Sequence, residues 1–327
     1  MTRWNRRLLF GAVVEWRSAF LKRRMTDLGV FLRASWALRV GADFYSIEDD
    51  NHWHYHYPPL FAILLTPLAD APKDASRAGM LPFGVSVVVW YLASLAFVAL
   101  AVHWLANALE YQSARPIVPG CRRWWMLRAL PVVVCLPILG ASLVRGQVDP
   151  LLLLLLCGMA AAAVRGRSGQ AGFWLAGAIC LKIIPAFLLV YPLWRRDKRW
   201  LAGCAVGLFV GMVLIPAAVL GPSLVVTRYR KLAEVLVLPA FGKGEDRTRA
   251  KELTDTTSTD SQSFLAILHN LTHWDRNTRP AQASADVRRV HWIIGGILTL
   301  LTLAAARWRR VEDKPAATCK AAEYPRD

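Results

Sequence analysis

"WLAGAICLKIIPAFLLVYPLWRRDKRW", residues 174–200, decides the architecture of the chain. It belongs to an apolar run, 171–193, of the length a helix needs to cross a bilayer, about 20 residues. Yet Lys182 and Pro185 sit near its middle, and the basic cluster 195–199 follows it. Proline removes a backbone donor and clashes with the preceding turn. A cation inside an apolar segment faces a cavity or a ligand. The stretch therefore predicts a helix broken near Lys182, with its tip approaching the outer half of the bilayer. The alternative is one straight span with Lys182 snorkelling to the interface.

Outward from this stretch, apolar segments fall at 8–21, 58–71, 81–108, 129–144, 150–164, 171–193, 200–221 and 290–307. Only 81–108, 171–193 and 200–221 are comfortably long enough to span. Hydrophobic residues make up 55% of the 327 and charged residues 19%, against roughly 25% charged in a soluble domain. The pattern predicts an all-α polytopic membrane protein, a single membrane domain over 1–327 with outer loops at 27–57 and 222–289. The net charge of +17 does not indicate nucleic acid. Its Arg and Lys clusters lie between apolar segments, the distribution that the positive-inside rule produces. The six cysteines form no CxxC pair and sit mostly in apolar runs, which suits small apolar filler rather than a disulfide framework or zinc site. No small-residue cleavage site follows the basic N-terminus, so no cleaved signal peptide is expected.

Placing the clusters at 3–24, at Arg122, Arg123 and Arg128, at Arg165 and Arg167, at 195–199, and at Arg307, Arg309 and Arg310 in the cytoplasm fixes an orientation. Segments 129–144 and 150–164 become a hairpin whose outer tip is "RGQVDP", 145–150. Segment 58–71 becomes interfacial or re-entrant, and a short helix is expected over 261–271.

The first outer loop opens with "RRMTDLGVFLRASWALRVG", 23–41, an amphipathic pattern. Thr26 or Asp27 can cap it and Gly41 follows its last turn. Leu28, Phe31, Leu32 and Ser35 share a face with Arg33 and Arg39 away from it, as in a helix resting on the membrane surface. Asp27 reads either as this cap or as a carboxylate that takes a proton from an incoming hydroxyl. The helix dipole is expected to keep it ionised. Then comes "DFYSIEDDNHWHYHYPPLF", 43–61. In an extended strand His52, His54 and His56 share one face and could bind a metal, while Trp53, Tyr55 and Tyr57 share the other and could anchor the loop at the interface. The acidic run 48–50 reads as solvated loop.

Taken in order, "TDLGVFLRASWALRVGADFY", "YHYPPLFAILLTPLA", "RGQVDPLLLLLLCGMAAAAVRGR", "WLAGAICLKIIPAFLLVYPLWRRDKRW" and "DSQSFLAILHNL" resemble glycosyltransferase family 87, membrane proteins of the GT-C class. The resemblance implies a GT-C-like helical bundle and inverting transfer of a hexose, mannose first, from a polyprenyl-phosphate sugar. It implies an extracytoplasmic active site, a lipid or glycan acceptor and contact with membrane lipids. Its acidic positions fall on Asp27 and Asp43, and its GQ, K-x-x-P and QS positions on Gln147, Lys182, Gln262 and Ser263. The leaving lipid phosphate needs cations or donors rather than a general acid. Lys182, with Arg145 and Gln147 at the hairpin tip, would supply them. Asp27 would be the base, and His54, His56 and Tyr57 would border the sugar. The scheme requires no metal and no cofactor.

Three features depart from the family pattern. The first apolar segment carries Glu15 and Arg17, the chain stops after 290–307, and SQS stands at 261–263 in place of NQS. The first two suggest a shortened gene product or a mis-called start and end. The competing readings are a carrier or flippase of lipid-linked intermediates, a truncated inactive family member acting as a partner, and a metal-binding sensor built on the three histidines.

Overall fold

The computed structural model describes residues 25–113, 117–238, 256–257, 263–275 and 277–312, with side chains to 305. The chain falls into two compact units, Met1–Arg249 and Ala250–Asp327. The architecture is that of an all-helical polytopic membrane protein. Among the described residues a single isolated antiparallel bridge, Glu48 to His54, is the only β pairing.

The first unit begins with α1, Thr26–Arg39, which is largely covered by protein. Eight of its residues are buried, among them Leu28, Phe31, Leu32, Ser35 and Arg33. Arg33, expected to point away, bonds Asp50 at 2.8 Å, so its buried charge is compensated. The N-cap is Met25, with no side-chain cap, so neither Thr26 nor Asp27 serves as one. The C-terminal expectation holds. Gly41 has φ +74, its N–H bonds Leu38 O, and Ala42 N–H bonds Ala37 O at 2.8 Å, a Schellman closure.

The aromatic loop folds under α1 and packs its rings into the protein core. Tyr55 is fully buried, Tyr57 packs against the same core, and only Trp53 stays exposed. Phe31 meets Phe61 and Tyr57 edge-on at centroid distances of 4.8 and 5.1 Å. The buried phenols keep partners. Tyr45 Oη donates to Tyr57 O at 2.9 Å. Tyr55 Oη donates to Pro58 O and accepts from Ala62 N–H, tying the loop to α2, Pro59–Leu64. Proline in its first turn costs α2 nothing, and its length is too short to span.

α3, Phe83–Tyr111, runs 29 residues, about 44 Å at helical rise. α4, Arg122–Val134, and α5, Leu136–Arg145, form a pair bent by 61°. Pro137 causes the bend, since it has no N–H for the preceding turn and crowds the Val133 carbonyl. α6, Asp149–Val164, returns from the tip, completing the expected hairpin. α7, Ser168–Leu181, ends at Lys182 in extended conformation, φ −144 and ψ 124. A tight 3₁₀ stretch, Ile184–Leu189, and α8, Val190–Arg195, follow. The run 171–193 is therefore broken at Lys182 and is not a single straight span.

α9, Lys198–Leu220, is long and apolar enough to cross a membrane. It packs so closely on α7 that a Cβ at Gly172 would lie 2.0 Å from Trp200 O, and one at Gly203 2.1 Å from Gly169 O. Such crossings are how helices associate where no hydrophobic drive separates them from lipid. α10, Pro222–Leu232, closes the unit.

In the second unit α11, Phe264–Thr272, is capped by Ser263, and His269 is buried against Pro280 O at 2.9 Å. α12, Ala285–Glu312, follows. Its stretch 285–305, with α3 and α9, makes three helices long and apolar enough to span.

Candidate functional site

The site forms where the hairpin tip meets the first turn of α1. α5 closes on Gly146 with φ +67, and Gln147 N–H bonds back to Ser142 O at 2.9 Å. Two facts make Gly146 a glycine. The left-handed backbone disfavours any side chain, and a Cβ would fall 2.6 Å from Leu28 Cβ and 2.9 Å from Met25 Sδ. Trp90 Nε1 of α3 donates to Gly146 O at 3.0 Å, and Val148 is buried beside it. The weak "GQ" signal thus has a mechanical reason: the turn docks flush on α1 and presents Gln147 to Asp27.

Gln147 donates a hydrogen bond to the Asp27 carboxylate, with Arg145, Asp149 and Lys182 in its electrostatic neighbourhood. Burial raises the Asp27 pKa, while the Gln147 bond and the Arg145 and Lys182 charges pull it back and Asp149 pushes it up. The expected depression by the helix dipole is overturned, because the carboxylate gives up more in lost hydration than the first turn of α1 returns. Lys182 reaches the same place because its helix ends there. Its Nζ lies 3.2 Å from Asp149 Oδ1, both side chains keeping about a third of their surface in solvent, 30% and 38%. Tyr57 faces the two carboxylates. Burial first, then Asp27 and Asp149, push its phenol above its usual range, so it stays a neutral donor.

Residues from four stretches therefore converge: Asp27, Tyr57, the Arg145–Asp149 tip and Lys182. Asp149 has no role in the sequence-based site. Its signal was present, a carboxylate between apolar segments at the hairpin tip, the same kind of evidence that singled out Lys182.

Asp43 goes elsewhere. It pairs with Arg228 of α10 at 2.5 Å and accepts from Ser46 Oγ at 2.6 Å, which makes it a fastener between the loop and α10 more than a base. The run 48–50 is solvated at Glu48 and Asp50 but not at Asp49. Asp49 is buried and holds a tight turn through Asn51 and Trp53 N–H, Asp50 pairs with Arg33, and Glu48 contacts His52 and His54. The histidines do not share a strand face, because the chain reverses at His52, φ +62. His54 lies on Glu48 and His56 is half-buried. Among the described residues no three His, Cys, Asp or Glu side chains converge as a metal-binding set. Ser263 accepts from Ala266 N–H as a helix cap of the second unit, and Gln262 lies outside the described residues.

The sequence profile of Glycosyltransferase family 87 matches residues 55–323. Tyr57, Arg145, Gln147, Asp149 and Lys182 fall inside the match, whereas Asp27, Asp43 and His54 precede it. A Mycobacterium tuberculosis protein named polyprenol-phosphate-mannose-dependent alpha-(1-2)-phosphatidylinositol mannoside mannosyltransferase is 30% identical over 167 residues, 49% of this chain and 37% of that protein. The match thus spans little more than a third of the relative's length. No solved structure matches. With the profile covering most of the chain, the chain belongs to glycosyltransferase family 87.

Proposed function

We propose that the protein is a membrane glycosyltransferase that moves a hexose, mannose first, from a polyprenyl-phosphate sugar to a hydroxyl of a lipid or glycan acceptor, with inversion, on the extracytoplasmic side. The observation that carries this reading is the convergence of a half-buried carboxylate with two cations. Asp27 sits within the field of Arg145 and Lys182, brought together from positions more than a hundred residues apart. The family membership and the mannosyl donor in the relative's name support the donor class.

In the proposed step the acceptor oxygen attacks the anomeric carbon as its proton passes to Asp27. The bond from that carbon to the phosphate oxygen breaks, and polyprenyl phosphate leaves as the anion. Burial suits Asp27 to the task, since a carboxylate with a raised pKa accepts a proton more readily than a solvated one. Lys182 has donors to spare beyond its contact with Asp149, and with Arg145 it meets the charge growing on the phosphate. Gln147 orients Asp27, and Tyr57 offers a neutral hydroxyl to the sugar. Placing every basic cluster in the cytoplasm puts the hairpin tip on the opposite side.

The test is transfer of radiolabelled mannose from polyprenyl-phosphate mannose to a lipid extract in membranes carrying the chain. Wild type and Asp27→Asn are compared at matched expression. Transfer lost in the variant supports the reading. Transfer unchanged removes Asp27 as the base.

A further inference from the structure

α6 is 16 residues long, so its two ends lie about 24 Å apart. Asp149 is at one end. At the other lies a cavity of about 190 Å³, lined by Trp104, Gly158, Arg165, Arg167, Gln170 and Trp174 among others. We propose that this cavity is a binding site for the phosphate headgroup of an anionic membrane lipid, on the face opposite the glycosyl-transfer site.

Three observations carry it. The first is charge without a partner. Among the described residues, neither Arg165 nor Arg167 forms an ion pair or side-chain hydrogen bond. The arginines that fasten this fold do. Arg128, on α4, is buried with Glu110 at 2.6 Å, Asn107 at 2.6 Å and the Trp124 ring at 3.8 Å. Arg33, Arg77 and Arg228 each hold an aspartate. Asp197, which accepts from Ser168 Oγ at the start of α7, also accepts from Trp200 N–H as the cap of α9, and it does not line the cavity.

The second is the wall. Trp104 and Trp174 meet edge-on with centroids 5.3 Å apart. Gly158 lets this happen, because a Cβ there would lie 2.9 Å from Trp174 Cδ2. Paired indoles below a polar mouth match the depth profile of a lipid, acyl chain against ring and headgroup above it.

The third is the donor set. Two guanidiniums and the Gln170 amide offer the forked and single donors that phosphate oxygens accept. Basic pockets between membrane helices take anionic headgroups for this reason.

The test uses the full chain purified in non-ionic detergent. Native mass spectrometry counts retained lipid as phosphatidylglycerol, phosphatidylcholine or inorganic phosphate is titrated. Wild type is expected to retain phosphatidylglycerol and neither of the others. The R165Q/R167Q variant is expected to bind it about thirtyfold more weakly. The R122Q/R123Q variant loses the same charge from exposed α4 positions that line no part of this cavity, and it is expected to behave as wild type. Equal loss in both double variants would assign the effect to general surface charge and overturn the site. Equal retention of phosphatidylcholine overturns it as well. If inorganic phosphate competes the lipid away at equimolar concentration, the cavity takes a free anion and the lipid assignment fails. Should R165Q/R167Q not fold, the headgroup and phosphate comparisons on wild type still decide.

Discussion

At the Asp149 end of α6, carboxylates and cations interleave. Asp27, Arg145, Asp149 and Lys182 share one neighbourhood, and Lys182 is held on Asp149 at 3.2 Å. At the Val164 end Arg165 and Arg167 line their cavity with a glutamine and two indoles, and no carboxylate joins them there. One helix thus carries a nearly neutral, mixed-charge site at its start and a purely cationic one at its finish. The difference is chemical. A site that accepts a proton and also meets a leaving phosphate, as proposed for the first, needs both signs. A site that only holds an anion needs one.

The contrast is broken most directly at Asp27. Asp27→Asn is expected to lower transfer by a factor of about 100 or more, since general bases contribute about that much. It should leave the thermal unfolding midpoint unchanged or raised. The sign follows from linkage. A carboxyl whose folded pKa is raised above its unfolded value binds more protons when folded, so stability falls as pH rises through that window. Asparagine removes that penalty. A lower midpoint together with lost activity would mean Asp27 is a structural residue. Lys182→Ala comes next. It should cost about tenfold to a hundredfold in turnover with little change in stability, because the pair it leaves is partly solvated. A variant that unfolds instead would make Lys182 a fastener like Arg228.

The same ionisation sharpens the comparison through pH. On the proposed mechanism transfer requires ionised Asp27, so the acid limb of the rate profile should lie above the ordinary aspartate value of 3.8 from which burial raises it. An acid limb at or below that value would show that Arg145, Lys182 and Gln147 outweigh burial. Gly146→Ala should destabilise by about 1–3 kcal/mol and reduce transfer in step, since the turn must back away from Leu28. Full activity would show that the tip need not dock flush. The smallest effect on transfer is expected for Tyr55→Phe. It leaves the buried Ala62 N–H unsatisfied and costs about 1–3 kcal/mol, read as a lower midpoint at near-normal turnover per folded molecule.

Much of this was legible in the residues. Pro185 with Lys182 announced the broken helix, Gly41 the end of α1, and "RGQVDP" the hairpin tip. Where the sequence misled, it did so by local pattern. α1 has an amphipathic repeat and was expected at a surface, but the loop and α2 that follow supply Tyr45, Tyr55 and Phe61 to cover it, and Asp50 to neutralise Arg33. The three histidines alternate as a strand would, yet Asp49 caps a turn that reverses the chain at His52. Periodicity records which residues could share a face and is silent on what arrives to cover it.

The chain alone determined its class and its break points, because helix length, proline chemistry and apolar runs act over a few residues and need no distant partner. Tertiary structure decided which charges meet. Asp27 and Gln147 are 120 positions apart and Asp149 and Lys182 are 33 apart, numbers with no local signature. They are joined because Gly146 lets one backbone turn lie against Leu28 and because α7 ends where α6 begins. The raised pKa of Asp27 belongs to that packing as well, since burial is a property of neighbours and not of a residue's place in the sequence.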